Sequence, residues 1–186
     1  MKKNKISYDT GFWASFATGN PFTVINAFFA FADLDYYKQT LTETVFYSYK
    51  TKVYGKENPS DVFVFYTALS YFIKVCYSLK KKNKKWKVKA SLHSETVFDL
   101  SSLTKQEYED PFIVFQKAFN KKTPKEFEFF LCQILELSLS PSPADPVFDL
   151  TTPYVYLIKM LDAMALIRER GIGKIRKKDQ IDFITE

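Results

Sequence analysis

Histidine and cysteine are nearly missing from this chain, with one and two among 186 residues. Cys76 and Cys132 form no CxxC pair and neither lies near His93, so a zinc site would have too few soft ligands. The cysteine framework of a small secreted domain is absent too. Glycine is scarce, five in all, and no glycine-rich loop links a strand to a helix. Gly171-Ile172-Gly173-Lys174 follows a helical pattern, so its first glycine reads as a helix cap and the run resembles a phosphate loop only in letters. Arginine numbers three against 24 lysines, which leaves little capacity for bidentate contacts to phosphate or guanine. No segment offers 18 uninterrupted apolar residues, so no membrane span is expected. The N-terminal MKKNKIS has the charged start of a signal peptide, but the following YDTGFWASFATGN is short of aliphatics and broken by Asp9, Gly11 and Gly19. These absences together predict a soluble cytoplasmic protein with no cofactor, no metal and no catalytic constellation.

What the chain does have is proline in marked places. Five of its eight prolines follow Asn, Asp or Thr: Asn20-Pro21, Asn58-Pro59, Asp110-Pro111, Thr123-Pro124 and Thr152-Pro153. Each pair opens a stretch whose apolar residues recur at helical spacing. The polar residue caps orphan N–H groups, and proline at the first helical position gives up an N–H that would have had no partner there. The other three, Pro141, Pro143 and Pro146, fall in one linker and favour an extended connection. Helices are therefore predicted over residues 21–32, 34–52, 59–80, 111–120, 124–138 and 153–170. The third has the cleanest stripe, Val62, Phe65, Tyr66, Leu69, Phe72, Ile73, Cys76 and Leu79, which makes Cys76 a small buried hydrophobe. Thr104 with Glu107, and Thr123 with Glu126, have the spacing of capping boxes, the first marking a short turn before the fourth main helix. Alternation of Lys87, Lys89 and Ser91 with Val88, Ala90 and Leu92 suits a short extended segment. The expected fold is all-α: one domain over residues 1–186, built as a compact bundle of about six helices.

A shift of 90 positions lays Asn20-Pro21-Phe22 on Asp110-Pro111-Phe112, Val24 on Val114, Phe29 on Phe119 and Leu41 on Leu131. Asp33 falls on Thr123, Tyr37 on Phe127 and Val45 on Leu135. The third helices follow, Asn58-Pro59 against Thr152-Pro153, when four extra residues are allowed in the linker. This reads as two three-helix units, residues 20–80 and 110–170, joined by a basic and irregular link over 81–109.

Charge is concentrated in that link. Residues 80–89, KKKNKKWKVK, hold seven lysines and no acid, so they carry more than the whole net charge of +6. Lys80, Lys81, Lys82, Lys84, Lys85, Trp86, Lys87 and Lys89 are the candidate contact residues for nucleic acid or an acidic partner, with Trp86 available to stack on an unpaired base. The plainer reading is a solvated link after a helix C-terminus. Elsewhere, His93 beside Glu95 reads as a solvated residue rather than a general base. Glu107, Glu109 and Asp110 are expected to favour the positive start of the fourth helix, and Lys159 and Asp162, three apart, to form an ion pair. Aromatics make up 18% of the chain, led by 19 Phe. Shared AT-rich codons of Phe, Tyr and Lys account for that excess, the alternative being an aromatic groove or self-association surface. Three function classes follow. The first is a non-catalytic interaction module, an adaptor or regulator binding a protein partner or itself. The second is a nucleic-acid-binding protein using residues 80–89. The third is an enzyme or small-ligand protein with a pocket between the helical halves.

Overall fold

The computed structural model describes residues 21–54, 58–80, 86–89, 101–141 and 149–174. Among them α1 spans Pro21–Phe31, α2 Leu34–Tyr47, α3 Pro59–Lys80, α4 Lys105–Glu109, α5 Phe112–Lys121, α6 Pro124–Leu139 and α7 Thr151–Arg170. Two short strands, β1 Trp86–Val88 and β2 Ile172–Lys174, pair antiparallel with Trp86 opposite Lys174. The fold is all-α, as the proline and stripe pattern predicts.

Cap chemistry sets most boundaries. Asp33 Oδ1 accepts from Tyr36 N at 2.7 Å to start α2. Both capping boxes are formed, Thr104 with Glu107 at α4 and Thr123 with Glu126 at α6. Three boundaries differ from expectation for a visible reason, and the ends of α1, α5 and α6 shift by one residue each. α7 begins at Thr151, and its cap is Asp149, whose Oδ1 accepts from Thr152 N at 3.0 Å. Thr152 is therefore not the cap, and Pro153 sits inside the first turn, where its missing N–H still costs nothing. α5 begins at Phe112 in place of Pro111, with Asp110 Oδ1 accepting from Phe112 N at 3.1 Å. α2 stops at Tyr47, short of residue 52. Its last turn carries Thr44 and Ser48, whose hydroxyls donate to Thr40 O at 2.7 Å and Val45 O at 2.6 Å and compete with continuation of the ladder. At the far end of α7, Gly171 takes φ 70° with an extended ψ of 175°, a conformation open to glycine because it lacks a Cβ. The chain then turns directly into β2.

α3 is the axis of the packing. It contacts α1, α5 and α6, while α7 contacts α1, α2 and α5, and α2 also meets α6. Its residues 60–80 are long and apolar enough to cross a membrane by composition, and half of that stretch is buried inside the fold. Phe28 stacks on Tyr37 at 4.0 Å between ring centroids and on Phe72 at 4.9 Å, which ties α1, α2 and α3 into one aromatic column. The Tyr37 hydroxyl donates to Phe28 O at 3.0 Å, so burial leaves no polar atom orphaned there, and burial pushes its pKa up. Much of the aromatic excess goes into the core: Phe72, Phe112, Phe115, Phe127 and Phe130 are fully buried along with Phe28 and Tyr37. Each such side chain contributes about 1.5–3 kcal/mol by leaving water. Cys76 is fully buried, and burial raises its thiol pKa well above the ordinary value.

Candidate functional site

Of the basic segment, Lys80, Trp86, Lys87 and Lys89 lie within the described residues, and Lys81, Lys82, Lys84 and Lys85 lie outside them, as does His93. Lys80 is bound into the fold. Its Nζ donates to Phe119 O at 3.2 Å and to Asn120 Oδ1 at 2.9 Å, so the ammonium caps the C-terminal end of α5 and favours its dipole. Trp86 is half-buried on β1, its ring edge-on to Phe22 at 5.2 Å, and Val88 is buried beneath the strand. Lys87 and Lys89 are exposed. The extended segment expected from alternation is thus real over Trp86–Val88, and pairing with β2 fixes which side chains point outward.

The charged residues of the second half converge on α7. Lys159 and Asp162 do not pair with each other, contrary to the helical-spacing expectation. Lys159 Nζ reaches Glu107 Oε2 at 2.6 Å, and Asp162 Oδ1 takes Lys38 Nζ from α2 at 2.9 Å. The reason is burial: Asp162 is 5% exposed, and a carboxylate there needs donors from several directions, which a helical neighbour on its own element cannot supply. Asp162 Oδ2 accepts from Ser102 N at 2.7 Å. Glu107 is 2% exposed and also departs from the role expected for its acidic cluster. Its Oε2 accepts from Thr104 N at 3.0 Å in the capping box, and its Oε1 from Lys117 Nζ at 3.0 Å. Asp110 alone of that cluster caps α5. At the end of α7, Arg170 Nη1 donates to Tyr108 O at 2.8 Å with the guanidinium 4.1 Å over the Tyr108 ring.

This layer clasps residues 101–110 onto α7. Desolvation acts to raise the Glu107 pKa, but donation from Lys159, the Thr104 backbone and Lys117 outweighs it and holds the carboxyl at about 2. A carboxylate so fully bonded is a poor general base at neutral pH. Ser102 Oγ and Arg170 Nε are buried beside the layer with no hydrogen-bond partner among the described residues. Lys38, Lys117, Ser102 and Arg170 are the members that sequence reasoning did not name. Lys38 is adjacent to the buried Tyr37 and Lys117 to the buried Ala118, which was the only signal available.

Two surface features complete the description. At the end of α2, Phe46 and Tyr49 are 56% and 53% exposed, with Lys50 Nζ 4.3 Å over the Phe46 ring. Phe63 and Phe129 are equally exposed on α3 and α6. An open cleft of about 300 Å³ lies between the α1–α2 junction and α7, lined by Phe29, Asp33, Leu34, Ala165, Arg168 and Glu169. Among the described residues no group of three or more His, Cys, Asp or Glu is placed to hold a metal ion. No protein-family model matches the sequence, no curated protein matches it, and no solved structure matches it.

Proposed function

We propose that the protein is a non-catalytic interaction module that binds a protein partner through the aromatic end of α2. The carrying observation is the pair Phe46 and Tyr49, one turn apart and both more than half exposed, with Lys50 over the Phe46 ring. Rings of this kind offer large contact area with few torsions to immobilise, and aromatics are enriched at interface centres for that reason. The buried acids on and facing α7 support the same reading, because their oxygens are already bonded to lysines and backbone N–H groups. The test is affinity capture with the whole protein, comparing wild type with Phe46→Ser/Tyr49→Ser. The double variant should fold normally and lose the partner, while Lys87→Gln/Lys89→Gln should retain it. Capture lost only in the lysine variant, with a steep salt dependence, would move the contact to residues 80–89 and support the nucleic-acid reading instead.

The cleft beside Phe29 supports a second reading, a small-ligand site between the two sets of helices. Its rim carries Asp33, Glu169 and Arg168, and the Arg168 guanidinium lies 5.6 Å over the Phe29 ring. A ligand found there in a structure of the loaded protein, displaced by Ala165→Trp, is the result that would favour it.

A further inference from the structure

We infer that the chain is an internal duplication, two copies of one three-helix unit, α1–α2–α3 and α5–α6–α7, related by a pseudo-two-fold axis passing between α2 and α6. Three independent observations carry this beyond the sequence offset. The first is the contact pattern. Exchanging α1 with α5, α2 with α6 and α3 with α7 turns α1–α3 into α5–α7, α2–α7 into α6–α3 and α1–α7 into α5–α3, and leaves α2–α6 unchanged. Every substantial contact among these six helices is accounted for, as a two-fold operation requires of an isologous arrangement.

The second is burial, position by position. Over residues 34–48 and 124–138, each residue is buried, half-buried or exposed in step with the one ninety positions on, with one exception: Thr40 is half-buried where Phe130 is buried. In α1, Pro21, Val24, Ile25, Phe28 and Phe29 are buried, and so are Pro111, Val114, Phe115, Ala118 and Phe119. Helical periodicity alone reproduces a stripe. It does not reproduce the flanks of the second helices as well, nor the common phase of the two stripes, although the flanks of the first helices differ, as at Phe22 and Phe112 or Ala27 and Lys117.

The third is bonding at matched seats. Ser48 and Ser138 are both fully buried, and each donates to the carbonyl three residues back, Val45 at 2.6 Å and Leu135 at 3.0 Å. The Phe29–Tyr37 rings meet edge-on at 6.3 Å, and the Phe119–Phe127 rings do the same at 5.5 Å. Lys38 on α2 reaches Asp162 on α7, and its counterpart Glu128 on α6 reaches Lys74 on α3, so each second helix sends a charged side chain to the opposite third helix, although at the third helices the partners differ in position, Asp162 matching Ser70 and Lys74 matching Leu166. The third helices correct the offset: α3 starts at Pro59 and α7 at Thr151, a shift of 92, so the linker holds two extra residues and not four. At that shift Phe65, Ala68, Leu69, Phe72 and Val75 fall on Leu157, Met160, Leu161, Met164 and Ile167, all buried.

A crystal structure of the full chain tests this directly. One rotation near 180° should overlay residues 21–48 on 111–138 and, by the same operation, α3 on α7 at the shift of 92. A need for separate operations for the α1–α2 and α3 pairs, or an overlay that holds only with helix directions reversed, would overturn the duplication and leave the ninety-residue offset a coincidence of amphipathic helices.

Discussion

The two helical sets bury the same kinds of position and fill them differently. In α1–α3 the centre is a column of rings, Phe28 between Tyr37 and Phe72, with one polar atom, the Tyr37 hydroxyl, and that atom bonded. In α5–α7 that column is broken, Ala118 and Met164 standing where α1 and α3 have Phe28 and Phe72, and α7 carries Lys159 and Asp162 where α3, at the shift of 92, carries Thr67 and Ser70. The difference shows what the extra segment 101–110 demands. A helix whose outer side is covered by an irregular stretch with free backbone N–H groups needs buried acceptors, and Asp162 and Glu107 supply them. Among the described residues α3 has no such cover.

The largest expected effect tests the sameness of the two sets. Tyr37→Ala and Phe127→Ala each remove a fully buried ring from the same seat and should each cost about 3–5 kcal/mol in denaturant unfolding. A clear inequality between the two would show that the seats are not equivalent in packing, whatever their exposure.

The next prediction sharpens the difference. Glu107→Gln leaves Lys159 and Lys117 without a counter-charge and should cost about 2 kcal/mol, below the roughly 3–5 kcal/mol of a fully buried pair because both lysines keep some access to water. Glu126→Gln, at the exposed capping box of α6, should cost less. The same contrast has a pH form. The depressed Glu107 pKa contributes stability above its ordinary value of 4.5, and that contribution is lost as pH falls towards about 2. Wild type should therefore lose stability faster than Glu107→Gln across that window, and parallel curves would remove the carboxylate from the account.

Next comes Gly171→Ala. Nothing lies within 4 Å of a Cβ built at Gly171, so the penalty is one of backbone conformation alone, about 1–3 kcal/mol for positive φ with extended ψ. A loss confined to β1–β2 pairing, seen as faster amide exchange at Lys89, would locate it. Least is Lys87→Gln/Lys89→Gln, both exposed, which should alter stability by under about 0.5 kcal/mol.

The apolar part of this fold was legible because its signals are local. Proline after a capping residue, a stripe at helical spacing and the box spacing of Thr123 and Glu126 each fix an element from a few neighbouring residues; α6 shows the Thr123 cap and box, and α1 and α3 begin at the expected prolines with their stripes buried, the expected cap Asn20 lying outside the described residues. Where a boundary moved, as at Asp149 and Thr152, two residues of similar capping chemistry competed and the sequence did not rank them. The charged layer was not legible because its partners lie far apart. Lys38 meets Asp162 and Glu107 meets Lys159 across intervening helices, and no spacing rule encodes such a meeting. The helical-spacing pair Lys159 and Asp162 misled for that reason. Trp86 illustrates the opposite error: within a lysine run it reads as a ring in solvent, yet Phe22, distant in sequence, is its packing partner.

The buried acids on and facing α7 are structural clasps, each carboxylate oxygen of Asp162 and Glu107 bonded to a lysine or a backbone N–H group. Titrating the Glu107 side-chain carboxyl by NMR in the intact protein tests it most directly. The expected inflection lies near pH 2, set by Lys159, Thr104 and Lys117. An inflection above the ordinary value of 4.5, towards neutrality, would mean an uncompensated buried acid, poised for proton transfer and inconsistent with a structural clasp.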